Sequence, residues 1–179
     1  MKRPPKGVTP AVALIRPKFP HNVGSTLRAC SCFGATQLWF TGDRVPLEPH
    51  EGYRLPREER MKGYKDVQII NDDRFFDRYN GDVTPVAVEL NKSSELLTTF
   101  EHPENALYVF GPEDGSLGSV TLRHCHRFLA IPAAHCLNLA AAVNVVLYDR
   151  RMKRQLAGLE EILPVTEMLH EHRGFISDS

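Results

Sequence analysis

Three short stretches of this chain combine residue types that bind or react. "IPAAHCLN" (Ile131–Asn138) sets an imidazole, a thiol and a carboxamide between an apolar run and a helical one. "FGPEDGSLG" (Phe110–Gly118) has Gly111, Gly115 and Gly118, where backbone can approach a ligand closely, around the acids Glu113 and Asp114. "HNVGSTLRACSCFG" (His21–Gly34) carries Asn22, placed to cap a helix, and Arg28 two turns further in. The glycine loop lacks the Gly-Lys-Ser/Thr ending of a phosphate loop and the leading glycine pair of a dinucleotide fingerprint. Taken singly, it reads as a tight turn with an exposed acid, and Arg28 as a solvated arginine on a capped helix.

Cys30, Cys32, Cys125 and Cys136, with His124, His126 and His135 beside the last two, are the residue types that hold zinc. One residue separates Cys30 from Cys32, whereas zinc sites use two to four. On a helix these two side chains point about 200° apart. No metal is expected, and the thiols are read as reduced.

The elements that must position these groups alternate along the chain. Apolar runs at Ala11–Pro17, Gln37–Gly42, Val67–Asn71, Thr84–Leu90, Ala106–Gly111 and Arg127–Pro132 read as strands. Helical patterns lie between them: Asn22–Gly34, an Asp72-capped "DDRFFDRYN" with Phe75, Phe76 and Tyr79 on one face, a polar turn after Leu90, and "SVTLRHC". A long helix runs from about Leu137 to Leu156, apolar almost all round in its first half and so expected to be sandwiched. Continuous apolar strands with crossover helices give an α/β fold with a mostly parallel sheet and helices on both faces. In such sheets ligands gather at the carboxyl ends of strands, where all three stretches fall.

The 179 residues suit one domain, with 42% apolar and 25% charged residues as in ordinary globular proteins. Residues 1–10 read as a flexible arm, 11–156 as the domain and 157–179 as a tail whose "VTEMLHEH" is either a short helix or a partner contact. The 22 basic and 22 acidic residues balance, which excludes a strongly cationic nucleic-acid binder but allows a local basic surface. No membrane span or signal peptide is evident, and a cytoplasmic location is expected.

Asn-x-Gly-x-x-x-Arg with Phe33–Gly34, then Phe-Gly-Pro-Glu, then Ile-Pro with Leu-Asn-Leu-Ala and Val-Val-Leu-Tyr, follow one another between about Ala11 and Arg151. In that order they resemble the SPOUT superfamily, and within it the SpoU-type ribose methyltransferases of tRNA and rRNA. The resemblance implies a deep carboxyl-terminal trefoil knot, an exception to the unknotted-chain rule, whose cleft holds S-adenosylmethionine. It implies cofactor contacts by the main chain of Gly111 and Ile131 and of the Glu89–Leu90 loop, with Cys136 and Leu137 lining the site. Arg28, Glu113 and Asn138 match the family's catalytic positions, and Asn22 and Arg28 its RNA contacts. A guanidinium with a pKa above about 12 is a poor base, so Arg28 is read as a bidentate phosphate clamp that orients the ribose hydroxyl.

The chain departs from the family pattern at Cys136, usually serine, at Ser116 before Leu117, with glycine one place early at Gly115, and at "IPA" for Ile-Pro-Met. The implied function is S-adenosylmethionine-dependent 2′-O-methylation of RNA, tRNA before rRNA, by a homodimer. Arg28 of one subunit would serve the cofactor of the other. Lys2, Arg3, Lys6, Lys18, Arg44, Arg54, Arg57 and Arg60 are candidates for RNA contact. The alternatives are an inactive RNA-binding knot protein, an rRNA ribose methyltransferase, and a base methyltransferase of the same superfamily.

Overall fold

A computed structural model describes residues 10–45, 67–79 and 81–167. Its seven strands are β1 (Ala11–Leu14), β2 (Gln37–Phe40), β3 (Gln68–Asn71), β4 (Thr84–Val88), β5 (Glu95–Leu96), β6 (Ala106–Phe110) and β7 (Arg127–Ala130). They form one parallel sheet in the order β3-β2-β1-β6-β4-β7-β5. Its helices are α1 (Pro20–Phe33), α2 (Ser119–His124) and α3 (Leu139–Leu156).

The two-residue period of a strand sends alternate side chains to opposite faces, and here both faces are covered. Val12, Leu14, Leu38, Phe40, Val86, Tyr108 and Phe110 join Val23 and Leu27 of α1 and Val143, Val146 and Leu147 of α3 in one core. Ala11, Ala13, Trp39, Ala87, Leu107 and Val109 face the other way, with Phe75, Leu117 and Cys125. Each large side chain so buried stabilises the fold by roughly 1.5–3 kcal/mol, which is why the central strands tolerate almost no polarity.

Helix α1 starts at Pro20, whose fixed φ suits a first helical position, and stops at Gly34, which takes the left-handed conformation at φ 78°. Two expected elements differ. "DDRFFDRYN" contains only a 3-10 turn, Phe75–Arg78. Asp72 accepts from the Arg74 N–H at 2.9 Å and pairs with Arg78 at 2.6 Å, while Tyr79 donates to Gln37 Oε1 at 3.0 Å. These ties close the turn before a helix can grow. The polar segment after Leu90 leads to β5, a seventh strand pairing with β7, where Glu95 grips Arg127 at 2.6 Å.

Helix α3 is not sandwiched within the chain. Val143, Val146 and Leu147 are buried, but Ala141, Val145 and Tyr148 lie on an exposed flank. Further along, Asp149 accepts from His102 Nε2 at 2.7 Å, and Lys153 donates to the carbonyls of Leu97 and Phe100. Residues 97–104 are thereby bound to the outer half of α3. Past the helix, Glu160 accepts from Arg154 at 2.6 Å, fixing the start of the tail. Residues 165–167 are helical, and the rest of the "VTEMLHEH" segment lies outside the described residues. No helix among the described residues is long and apolar enough to cross a membrane.

Candidate active site

The carboxyl ends of β4 and β6 floor a cleft of about 520 Å³, with Val88, Glu89, Phe110 and Gly111 at its base. Cys136, Leu137 and Asn138, with Leu139 and Ala142 of α3, form one wall. Phe19, His21 and Asn22 at the start of α1 form another, and Pro112, Glu113 and Gly115 close over the top.

Local backbone demands shape this loop. A Cβ on Gly111 would meet the Leu117 nitrogen at 3.3 Å, so glycine lets the loop after β6 fold back on itself. The returning Leu117 N–H donates to Glu89 Oε2 at 2.9 Å, joining the end of β4 to the same loop.

Glu113 accepts three hydrogen bonds from the entry to α1: from the N–H of Lys18 at 2.7 Å, of Phe19 at 3.3 Å, and from Asn22 Nδ2 at 2.7 Å. Partial burial pushes its pKa up, but these donors outweigh it and hold the carboxyl below its ordinary range. It is an anion whose lone pairs are engaged, fitted to hold a loop rather than to take a proton.

Asn22 is not the helix cap the sequence suggests, because Pro20 starts the helix one turn earlier and Phe19 stands at the cap position. Asn22 is 2% exposed and links two elements instead. Its Oδ1 accepts from Asn138 Nδ2 at 2.9 Å. Asn138 in turn caps α3, its Oδ1 accepting from the N–H of Ala140 at 3.0 Å and Ala141 at 3.2 Å. A single chain of amides thus runs from α3 through α1 to the β6 loop, and each member's orientation is dictated by the next.

Of the residues proposed from sequence, Asn22, Glu89, Gly111, Glu113, Cys136, Leu137 and Asn138 come together in this cleft. Leu90 is 83% exposed and outside its lining, and Ile131 packs against the core on the α1–α3 face. Arg28 is exposed and also outside the lining; six residues beyond Asn22, it lies about 9 Å further along the helix. Sequence reasoning missed Phe19 and His21, whose rings stack at 5.4 Å; the "FPHN" run before the helix was the available signal.

Lys18 and Arg44 both meet Asp114, at 3.4 Å and 2.6 Å, and the Arg44 hydrogen bonds hold that carboxyl far below its ordinary range. Lys2, Arg3, Lys6, Arg54, Arg57 and Arg60 lie outside the described residues. Among the described residues, no group of three or more His, Cys, Asp or Glu is placed to hold a metal. The four cysteines are free, and burial pushes the Cys125 thiol up to about 11.

Residues 10–148 match the model of the SpoU rRNA Methylase family. The chain is 25% identical over 164 residues to the tRNA (cytidine-2′-O-)-methyltransferase TrmJ of Methanocaldococcus jannaschii, covering 80% of this chain and 68% of that one. The fold resembles that of the SpoU methyltransferase AviRb from Streptomyces viridochromogenes in complex with AdoMet. That comparison gives a TM-score of 0.70 and 21% identity, over 86% of this chain and 64% of the AviRb chain. An AdoMet-bound rRNA methyltransferase from Sinorhizobium meliloti gives 0.67 at 25% identity, over 85% of this chain and 59% of that one. A structure concerned with 2-OH methylation of C/U34 on tRNA gives 0.66 at 25% identity, over 83% and 91%. The chain spans about two thirds of the AviRb length and somewhat less of the Sinorhizobium protein. With the family match running from before β1 into α3, the chain belongs to the SpoU rRNA Methylase family.

Proposed function

We propose that this protein methylates a ribose 2′-hydroxyl of RNA, tRNA in preference to rRNA, using S-adenosylmethionine, as a cytoplasmic homodimer. The observation that carries the proposal is the cleft at the ends of β4 and β6, braced by the Asn138–Asn22–Glu113 chain, in a member of this family. The tRNA preference draws on the Methanocaldococcus relative and on the tRNA 2-OH methylation structure.

The residues present fit the cofactor. A volume of about 520 Å³ is within the usual span of small-molecule clefts, roughly 300–1,000 Å³. Val88, Phe110, Leu137 and Ala142 offer apolar surface for a planar base, and the carboxylates of Glu89 and Glu113 suit a cationic sulfur. When bound, S-adenosylmethionine supplies an electrophilic methyl group.

Transfer to a ribose would need the 2′-hydroxyl held in line with that methyl group, and Arg28, gripping the neighbouring phosphate, would supply the alignment. The main chain of Gly111, of the Glu89–Leu90 loop and of Ile131 is assigned to holding the cofactor, with Cys136 and Leu137 lining the site; Leu90 and Ile131 would do so from outside the lining of the cleft. Asn138 and Glu113 act by keeping the cleft walls in register. Arg28 makes no hydrogen bond or ion pair with the described residues, which leaves its planar fork to a phosphate. It lies outside its own chain's cleft, as expected of a residue serving the partner's. The exposed flank of α3, with Val145 38% and Tyr148 58% exposed, is the surface we assign to that partner.

The trefoil knot belongs to the same proposal. β7 follows β4 and β5 in sequence yet lies between them, and the returning segment 97–104 is bound to α3. This is the arrangement a chain threaded through the 89–105 loop would have.

Arg28→Ala tests the chemistry directly. Methylation of unmodified tRNA should fall about 100-fold or more while cofactor affinity stays within about twofold, because only the nucleophile's position is lost. A comparable loss of both would refute the clamp. Digestion of the product to nucleosides should place the methyl on ribose; a methylated base would discard the reaction. A second reading, RNA binding without catalysis, is favoured by Cys136, a weak donor exposed in the cleft where the family usually has serine. Calorimetry finding no cofactor binding at saturation would select it.

A further inference from the structure

A second cavity, of about 630 Å³, opens at the carboxyl ends of β1 and β2. The segment 15–19 adjoins both cavities: Ile15 and Arg16 line this one, and Phe19 lines the cleft described above. Nothing in the methyl-transfer reading uses its contents.

Three kinds of group meet there. The first is aromatic: the Phe76 and His124 rings stack at 4.6 Å and 16°, with Phe75 behind Phe76 at 4.1 Å. His124 is exposed, so the stack ends at the cavity rather than in the core. The second is cationic: the Arg16 guanidinium is exposed and has no hydrogen bond or ion pair with the described residues. The third is acceptor oxygen: Asp43 is exposed, and Asp73 spends Oδ1 on the Gly42 N–H at 2.7 Å, keeping Oδ2.

Arg16 is also the one described non-glycine residue with positive φ, at 48°. That conformation is costly for a residue with a Cβ and persists only where its surroundings enforce it. Here the Arg16 N–H donates to Thr41 Oγ1 at 3.0 Å, and Arg44 donates to the Arg16 carbonyl at 3.3 Å. Gly42 completes the mould, since a Cβ there would meet Arg16 Cγ at 3.2 Å. The chain holds a strained arginine in place, its guanidinium unpaired among the described residues.

The mixture of groups selects the ligand. A divalent cation would face Arg16 with only two carboxylates, and a free phosphate would face both carboxylates. A planar ring that stacks, donates to a carboxylate and accepts from a guanidinium fits all three. Guanine does so most fully, offering O6 and N7 to an arginine fork and its N1–H and amino group to an acid. We infer that this cavity receives a guanine base of the RNA substrate, flanking the methylated ribose. The inference rests on the methyltransferase reading for the identity of the RNA and on this cavity alone for the base.

Titration of the full chain, saturated with S-adenosylmethionine, with GMP, AMP, CMP and UMP tests it, followed by amide NMR shifts. GMP should move Arg16, Gly42, Thr121 and His124 and bind more tightly than the other three. Arg16→Gln keeps the backbone burden and removes the charge, and His124→Ala removes the end of the stack. Each should weaken GMP about tenfold while cofactor affinity stays within about twofold. Equal responses to all four nucleotides, shifts confined to the Gly111 cleft, or indifference to both variants would overturn the base site. Cofactor binding by the unaltered chain, measured separately by calorimetry, reports on the methyltransferase reading alone.

Discussion

The two ends of α3 are fastened by different chemistry. At the start, neutral amides do the work: Asn138 caps the helix and hands its amide proton to Asn22, which hands its own to Glu113. Toward the far end the ties run through titratable side chains that are buried or half-buried. His102, with 2% of its side chain exposed, sits between the Tyr108 hydroxyl at 2.6 Å and Asp149 at 2.7 Å, and Lys153 meets Asp149 at 2.8 Å. Arg150, 5% exposed, donates to the Glu104 carbonyl at 3.0 Å. The far end fastens the helix to the 97–104 segment, and the near end sets the shape of a cleft wall.

Breaking the far end should have the largest effect on unfolding. Asp149→Ala strips two donors of their acceptor in a mostly buried setting and should cost about 2–4 kcal/mol in denaturant midpoints. Cofactor affinity should move little; a loss above tenfold would mean that the two ends are one unit. Asn138→Ala should reverse the pattern, costing about 1–2 kcal/mol as a lost cap but weakening the cofactor at least tenfold by calorimetry. Glu113→Gln keeps the shape and removes the charge that Lys18, Phe19 and Asn22 donate to. About 1 kcal/mol of stability and a several-fold loss in affinity are expected.

The smallest effect is one of pH. Burial lowers the pKa of His102 from its ordinary 6.5, against the pull of Asp149. The unfolded chain therefore takes up the proton first. This contribution is whole above about pH 6.5 and declines as pH falls from there toward the folded value. Thermal melts between pH 5 and 8 should show that decline in the unaltered protein and a flatter profile in His102→Phe. An identical slope in both would assign the dependence elsewhere.

The sheet was legible because its strands, buried on both faces, read as unbroken apolar runs such as Ala11–Leu14 and Ala106–Phe110. β5 was not legible, since Glu95–Leu96 is two exposed residues that hold a strand only through β7 and the Arg127 fork. The cleft was legible in outline, because motif order placed Gly111, Glu113 and Asn138 at strand ends. The part played by Asn22 was hidden. A local rule makes such an asparagine a cap, and only the packing of α1 against α3 brings Asn138 to it across 116 positions of sequence. The guanine cavity had no sequence signature at all, since Arg16, Asp73, Phe76 and His124 converge only through the strand order.

The brevity of β5 also bears on what that edge of the sheet can accept. A margin of two residues, with Glu95 already committed to Arg127, offers an incoming chain almost no free ladder to extend. Open-ended strand addition is disfavoured on that side of the sheet.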